Sequence, residues 1–129
     1  MSDVHPSSKK IVFIIEDDRL LSRTYEVQLQ SEGFEVWSSG DGAEALARLK
    51  GDPPSLILLD LMLPGASGFD VLAAIRTTPT WKGVPVLVLS NLGQSEDIQK
   101  AHVLGVQDYL VKSNVRFDDV IEAIKKHIQ

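Results

Sequence analysis

The 129-residue chain has the length of a single domain, and its lack of cysteine excludes a disulfide framework and a thiolate metal site. The formal net charge of −5 disfavours nucleic acid as a partner of this segment, because phosphate neutralisation needs clustered Lys and Arg. The apolar runs are too short to span a membrane and the start lacks the apolar stretch of a signal peptide. We therefore expect a cytoplasmic protein with no membrane partner, with a flexible leader over residues 1–8 and one domain over residues 9–129.

The first part of the chain predicts two strand–helix units. Ile11–Ile15 is a β-branched run of strand length, and Asp18 then stands where a helix N-cap is expected. The helix that follows ends at Gly33 and repeats its apolar or aromatic residues at intervals of four, at Leu21, Tyr25 and Leu29. Residues 34–38 predict a shorter strand near the sheet edge, and residues 41–51 predict the second helix.

Three further units follow. Residues 55–59 are apolar almost throughout, as expected for a central parallel strand covered on both faces, and a helix around Phe69, Leu72 and Ile75 comes after the Pro64-Gly65 turn. Residues 85–89 predict the fourth strand, residues 97–104 a helix, and residues 108–111 the fifth strand. The last helix has the clearest periodicity, with apolar residues at Phe117, Val120, Ile121, Ile124 and Ile128.

Five successive strand–helix units predict an α/β fold, in which a five-stranded parallel sheet is doubly wound by five helices. In such a sheet the binding crevice lies beyond the carboxyl ends of the strands. Polar residues follow these ends: Glu16 and Asp17 after the first strand, Asp60 after the third, Ser90 after the fourth and Lys112 after the fifth. We therefore expect at least three carboxylates, a hydroxyl and an ammonium group to share one crevice.

Each of these residues alone has an ordinary explanation, such as a helix cap, a turn residue or a solvated surface charge. Together they follow four different apolar strands in order, which chance does not readily produce. Carboxylates that lie close together need a compensating cation, and oxygen ligands of this kind suit Mg²⁺. A carboxylate can also accept a phosphoryl group as an acyl phosphate. The pattern predicts phosphoryl transfer with Asp60 as the nucleophile, Lys112 as a second cation and Ser90 as a hydroxyl donor.

These motifs resemble those of the receiver domain of two-component response regulators, over nearly all of residues 9–128. Ile-Ile-Glu-Asp-Asp at 14–18 is similar to the family's acidic pair, and Leu-Leu-Asp-Leu-Met-Leu-Pro-Gly at 58–65 to its phosphoacceptor signature. The resemblance implies a flavodoxin-like sheet of order 2-1-3-4-5, and phosphorylation of Asp60 by a histidine kinase or a histidine phosphotransfer protein. It also implies a Mg²⁺ site made by the carboxylates of Asp17 and Asp60, by Glu16 through water, and by the backbone carbonyl of Met62.

The resemblance further implies a conformational switch. Ser90 matches the Ser/Thr whose hydroxyl moves toward the phosphoryl group, and Tyr109 matches the aromatic that moves inward behind it. This movement alters the face formed by the fourth helix, the fifth strand and the fifth helix, where the family analogy places an output partner or a homodimer. Members of the family catalyse only their own phosphoryl transfer and slow dephosphorylation, so we expect no conventional enzyme.

One feature departs from the family pattern, because Ser113-Asn114 follows Lys112 where the family usually has Pro. A cis peptide before Ser costs about 2.5–4 kcal/mol, so the sequence leaves open whether this loop is trans or strained. Asn114 is available to cap the last helix.

Other functions fit the residues less well. Haloacid-dehalogenase-like phosphatases place a second Asp two residues after the nucleophile, where this chain has Met62, which cannot transfer protons. A flavin phosphate would be repelled by Glu16 and Asp17, and no Walker-type loop is present. The serious alternative is a receiver-like scaffold that binds partners without phosphorylation. We expect no output module in this segment, whether it is a stand-alone protein or a domain of a longer one.

Overall fold

The computed structural model describes residues 9–128, so the predicted leader and Gln129 lie outside the described residues. Its sheet has five parallel strands in the order β2-β1-β3-β4-β5, which confirms the predicted fold class and topology. The strands are β1 (Ile11–Ile15), β2 (Glu35–Ser39), β3 (Leu56–Leu59), β4 (Val86–Ser90) and β5 (Asp108–Val111). The helices are α1 (Arg19–Ser31), α2 (Gly42–Ala47), α3 (Gly68–Thr77), α4 (Ser95–Val103) and α5 (Phe117–His127).

The central strands are covered on both faces. On one face, α2, α3 and α4 pack against alternate strand residues such as Phe13 and Ile57, with Trp81 fully buried among them. On the other face, α1 and α5 pack against residues such as Ile14 and Leu58. Because successive side chains of a strand point to opposite faces, the uniformly apolar strands supply both cores.

Several element boundaries differ from the prediction by one or a few residues. Strand β2 begins at Glu35 rather than Phe34, because the Phe34 N–H closes α1 by donating to the Leu29 carbonyl. Helix α2 ends at Ala47 rather than near Gly51, because the chain then tightens into short turns. Strand β4 runs one residue later than predicted and α4 begins two residues earlier. The buried faces of these elements are unaffected.

The register of the central strands sets the position of the site. Ile15 of β1 pairs with Leu59 of β3, and the N–H of Asp60, the residue after β3, donates to the Ile15 carbonyl at 2.9 Å. Glu16 in turn donates its N–H to the carbonyl of Ser39, at the end of β2. The residues that follow β1 and β3 are therefore side by side at the carboxyl edge of the sheet.

Among residues 9–128, no helix combines the length and apolar character that a membrane crossing needs.

Candidate functional site

Three carboxylates meet at this edge of the sheet. Oxygen atoms of Glu16, Asp17 and Asp60 all lie within 4.8 Å of one another. Glu16 and Asp60 are buried, with exposed fractions of 5% and 4%, whereas Asp17 is exposed. The structure thus brings together the acidic residues that the sequence placed after two different strands.

Lys112 reaches the same cluster from the end of β5. Its Nζ lies 2.8 Å from Glu16 Oε1 and 2.8 Å from Asp60 Oδ2. Burial lowers the pKa of the Lys112 ammonium, but the hydrogen bonds and negative charges of Asp60 and Glu16 outweigh burial, so this pKa lies above its usual value. Lys112 therefore carries a full positive charge between the two buried carboxylates at neutral pH.

The backbone after Lys112 resolves the question left by the missing proline. The Lys112–Ser113 peptide is trans, and residues Lys112–Asn114 form a single 3₁₀ turn. Asn114 does not cap the last helix, because it lies inside this turn and Arg116 holds the N-cap position of α5. The Arg116 N–H instead donates to Asp119 Oδ2 at 3.0 Å, which closes the first turn of the helix.

Glu16 is held by two donors despite its burial. Lys112 contacts one carboxylate oxygen, and the Asp18 N–H donates to the other at 3.0 Å. Burial raises the pKa of Glu16 above its usual value and the charge of Asp60 adds to this, while the two hydrogen bonds oppose it. The neighbouring Asp18 has a different task, since its Oδ1 accepts from the Leu21 N–H and caps α1 as predicted.

Asp60 is oriented by its own loop. Its Oδ1 accepts from the Met62 N–H at 2.9 Å, while its Oδ2 faces Lys112. The Met62 backbone therefore lies beside the carboxylate, although the Met62 side chain is 53% exposed. The predicted use of the Met62 carbonyl as a metal ligand stays a prediction.

Gly68 holds the loop after Asp60 in place and was missed by the sequence reasoning. A Cβ atom at Gly68 would lie 2.3 Å from Leu61 Cα and 2.5 Å from the Asp60 carbonyl oxygen. Only glycine permits this approach of the first residue of α3. A glycine immediately after Ser67, the N-cap of α3, was the available signal.

The two predicted switch residues meet at Leu92 in the β4–α4 loop. Ser90 is fully buried, and its Oγ accepts from the Leu92 N–H at 3.3 Å. The Tyr109 hydroxyl donates to the Leu92 carbonyl. Burial, with the charges of Asp97 and Asp60, raises the pKa of Tyr109, which keeps this hydroxyl protonated. The backbone N–H and carbonyl of Leu92 thus link the side chain of Ser90 at the end of β4 to that of Tyr109 on β5.

The donor set fits a hard divalent cation. Carboxylate oxygens are the ligands that Mg²⁺ and similar ions prefer. Asp17 is exposed, so the cluster is open to solvent on that side and an ion can enter it. Glu16, Asp17 and Asp60 bring three carboxylates against one ammonium, which leaves an excess of negative charge for a cation to compensate. These residues can therefore hold a metal ion.

Residues 12–125 match the family described as the response regulator receiver domain. The chain belongs to this family. The match extends from the second residue of β1 into α5, so it includes β2 to β5 in full and every residue of the site described above.

Curated relatives agree with this assignment. The receiver domain is 32% identical over 117 residues to Protein PilG of Pseudomonas aeruginosa. The aligned region covers 91% of this chain and 86% of PilG. It is 35% identical over 101 residues to the DNA-binding response regulator MtrA of Mycobacterium tuberculosis, which covers 78% of this chain. The alignment spans only 43% of MtrA, so the chain corresponds to less than half of that relative.

Solved structures share the fold. The chemotaxis protein CheY4 of Vibrio cholerae superposes with a TM-score of 0.84 at 25% identity, covering 94% of this chain and 100% of CheY4. The phosphorylated cyanobacterial phytochrome response regulator RcpA gives 0.78 at 35% identity, covering 92% and 91% of the two chains. The Mn²⁺-bound form of response regulator Rcp1 gives 0.75 at 32% identity, covering 91% and 90%. Receiver domains are signalling switches of two-component systems that interact with histidine kinases, rather than conventional enzymes.

Proposed function

We propose that this receiver domain accepts a phosphoryl group on Asp60 with the help of Mg²⁺, and that phosphorylation changes its output surface. The observation that carries the proposal is the environment of the Asp60 carboxylate. It is 4% exposed, held by the Met62 N–H and by Lys112, and lies beside two further carboxylates. This combination of a fixed nucleophile, an adjacent cation and a cation-binding cluster meets the demands of phosphoryl transfer.

In the proposed reaction, an Asp60 oxygen attacks the phosphorus of a phosphohistidine on the donor protein. The bond from phosphorus to the donor histidine nitrogen breaks as the acyl phosphate forms, and the nitrogen leaves with its electron pair. Lys112, already charged and 2.8 Å from Asp60 Oδ2, neutralises charge on the transferred oxygens. Because Asp60 is held by hydrogen bonds before transfer, little reorganisation is needed.

Asp17 and Asp60 would hold the metal ion directly, with Glu16 acting through water and the Met62 carbonyl completing the protein ligands. When bound, Mg²⁺ supplies charge neutralisation for the phosphoryl oxygens. A Mn²⁺-bound form of Rcp1, at 32% identity, and a phosphorylated form of RcpA, at 35% identity, support the proposal that this chain binds a divalent metal ion and is phosphorylated.

The switch is proposed to act through Leu92. If the Ser90 Oγ moves toward a phosphoryl oxygen in order to donate to it, the 3.3 Å hydrogen bond that Oγ accepts from the Leu92 N–H is broken. The Leu92 carbonyl belongs to the same loop and accepts from Tyr109, so a movement of the loop is transmitted to β5. We expect the surface formed by α4, β5 and α5 to change shape. This change would alter how an output partner or a second copy of the domain binds to it.

A small phosphodonor tests the proposal. Incubation with acetyl phosphate and Mg²⁺ should add one phosphoryl group, detected by mass spectrometry of the intact protein, and Asp60→Asn should abolish the addition. Asp17→Asn should slow it strongly by removing a metal ligand. Asp18→Asn is the matched control, because Asn retains the cap of α1 and Asp18 lies outside the carboxylate cluster.

Two results would contradict the proposal. Modification of Asp60→Asn at the wild-type rate would assign the acceptor to another residue. A wild-type protein that stays unmodified under conditions that phosphorylate a known receiver domain would favour the alternative, a scaffold that binds partners without phosphorylation.

A further inference from the structure

A pair of stacked aromatic rings joins α1 to the start of α5. The rings of Tyr25 on α1 and Phe117, the first residue of α5, lie with their centroids 4.8 Å apart and their planes inclined by 17°. The other aromatic pairs among the described residues, Phe13 with Trp37 and Phe13 with Trp81, meet edge to face at 6.1 and 6.2 Å. Tyr25 is 4% exposed, so its side of the stack is shielded from water. The two helices are therefore tied together by a close contact between rings.

This stack lies at the far end of the loop that carries Lys112. Phe117 follows Lys112 by five residues, and the 3₁₀ turn that begins at Lys112 lies between them. Within the described part of the chain, no hydrogen bond joins residues 113–116 to α1, and the Arg116 N–H is used inside α5. The loop is instead attached by the side chains of Val115 and Phe117, which pack against the core that includes α1. The path of the loop, and with it the position of Lys112, depends on these two side chains.

Tyr25 also borders the carboxylate cluster. A gap too narrow for a water molecule runs beneath the site, and Tyr25, Glu16 and Asp60 form its polar lining beside apolar residues of β1, β3 and β4. Burial raises the pKa of Tyr25 above its usual value, the positive charge of Lys112 lowers it, and the negative charge of Glu16 raises it. The Tyr25 side chain is thus close enough to the ion pair to feel both charges, while its ring contacts Phe117.

We propose that Tyr25 is a positioning residue, which holds Phe117 and hence the loop that places Lys112 against Asp60. This role rests on the proposed function, in which Lys112 neutralises charge during phosphoryl transfer. Lysine has a flexible side chain, which by itself does not fix where its ammonium lies. The two 2.8 Å contacts to Glu16 and Asp60 therefore depend on the position of the loop. Loss of the stack would loosen Lys112 without removing any group of the carboxylate cluster.

An NMR experiment on the unphosphorylated protein tests this role directly. An ammonium group held by two carboxylates should exchange its protons slowly enough to give a nitrogen–proton correlation signal, which is assigned to Lys112 by its loss in Lys112→Met. Tyr25→Leu removes the stack and should broaden or abolish this signal, whereas Tyr25→Phe keeps the ring and should preserve it. Phe117→Leu breaks the same stack from the other side and should act like Tyr25→Leu.

The rate of modification by acetyl phosphate with Mg²⁺ gives the functional readout. Because a misplacement of about 1 Å can cost about 100-fold in rate, we expect Tyr25→Leu and Phe117→Leu to slow modification about tenfold. Tyr25→Phe should keep the wild-type rate. Leu29→Val is the matched control, because Leu29 is fully buried on α1 one turn beyond Tyr25 and lies outside the stack. This variant should lower stability without slowing modification.

The two readouts separate this role from the proposed function. A wild-type protein that is never phosphorylated would contradict the proposed function, and the ammonium signal would still decide whether the stack positions Lys112. The positioning role is overturned if that signal is absent from the wild type, or is unchanged in both Tyr25→Leu and Phe117→Leu. It is also overturned if Leu29→Val slows modification as much as Tyr25→Leu at an equal loss of stability, because the stack would then only stabilise the fold. If Tyr25→Phe behaves like Tyr25→Leu, the hydroxyl rather than the stacked ring is responsible and the reasoning is wrong.

Discussion

Replacing Lys112 with methionine tests the electrostatic account of the site. Methionine keeps an unbranched, flexible side chain but removes the ammonium that lies 2.8 Å from both Glu16 and Asp60. The two carboxylates are 5% and 4% exposed, so the variant leaves two buried charges without their cation. Removing one partner of a buried ion pair costs about 3–5 kcal/mol. Because the Lys112 side chain is itself 20% exposed, we expect the lower end of this range, about 3 kcal/mol.

Urea unfolding followed by tryptophan fluorescence measures this loss, since Trp81 is fully buried and reports on the core. Adding Mg²⁺ should raise the free energy of unfolding of Lys112→Met more than that of the wild type, because the metal replaces the missing charge. Adding Glu16→Gln should also recover part of the loss, as expected for groups in one network.

Lys125→Met is the matched control. Lys125 pairs with Glu32 at 2.7 Å, but its side chain is 50% exposed, so water screens the pair and little stability should be lost. Equal losses in the two variants, or a Mg²⁺ effect that is the same in Lys112→Met and wild type, would refute the reasoning.

Three further predictions concern packing, protonation and hydrogen bonding. Gly68→Ala should lower the free energy of unfolding by about 1–3 kcal/mol through overpacking, whereas Gly83→Ala, where a Cβ meets nothing within 4 Å, should change it little in the same urea titration. Burial raises the pKa of Tyr25 to about 12 from its usual 10, so the unfolded chain ionises first. Stability should therefore fall as pH rises from 10 toward 12, by about 2–3 kcal/mol more than in Tyr25→Phe, in unfolding titrations across that range. Arg76→Met should cost about 2–4 kcal/mol, because the guanidinium donates to four backbone carbonyls of two loops, and hydrogen exchange should increase in both loops. An unchanged exchange pattern in this variant would contradict the role of Arg76 as a link between the loops.

The sequence was enough to predict those parts of the site that depend on residue type and on the order of residues along the chain. Glu16, Asp60 and Lys112 each come directly after a strand, and parallel topology sends the carboxyl ends of neighbouring strands to one edge. Knowing the strands was therefore enough to expect these residues together. The approach of Gly68 to the Asp60 loop was not predictable in this way, because it depends on how α3 packs against that loop.

Helix ends were harder to predict than helix faces. Helix α2 stops at Ala47 although apolar residues continue as far as Leu49, because local turns beyond Ala47 satisfy the backbone. The last helix begins after Arg116 rather than at an Asn114 cap, because the trans Lys112–Ser113 peptide leads into a 3₁₀ turn. Such ends are set by a few competing backbone hydrogen bonds, which side-chain periodicity does not reveal.

The order of apolar and polar residues by itself determined the fold class, the edge of the sheet that carries the chemistry and the residues that gather there. Only the tertiary structure decided that Lys112 bridges Glu16 and Asp60 at equal distance, and that Ser90 and Tyr109 share Leu92. The physical reason is that periodicity and topology specify which strand ends are neighbours. Contacts of 3 Å between side chains depend instead on rotamers and loop paths, which are settled when the helices pack onto the sheet.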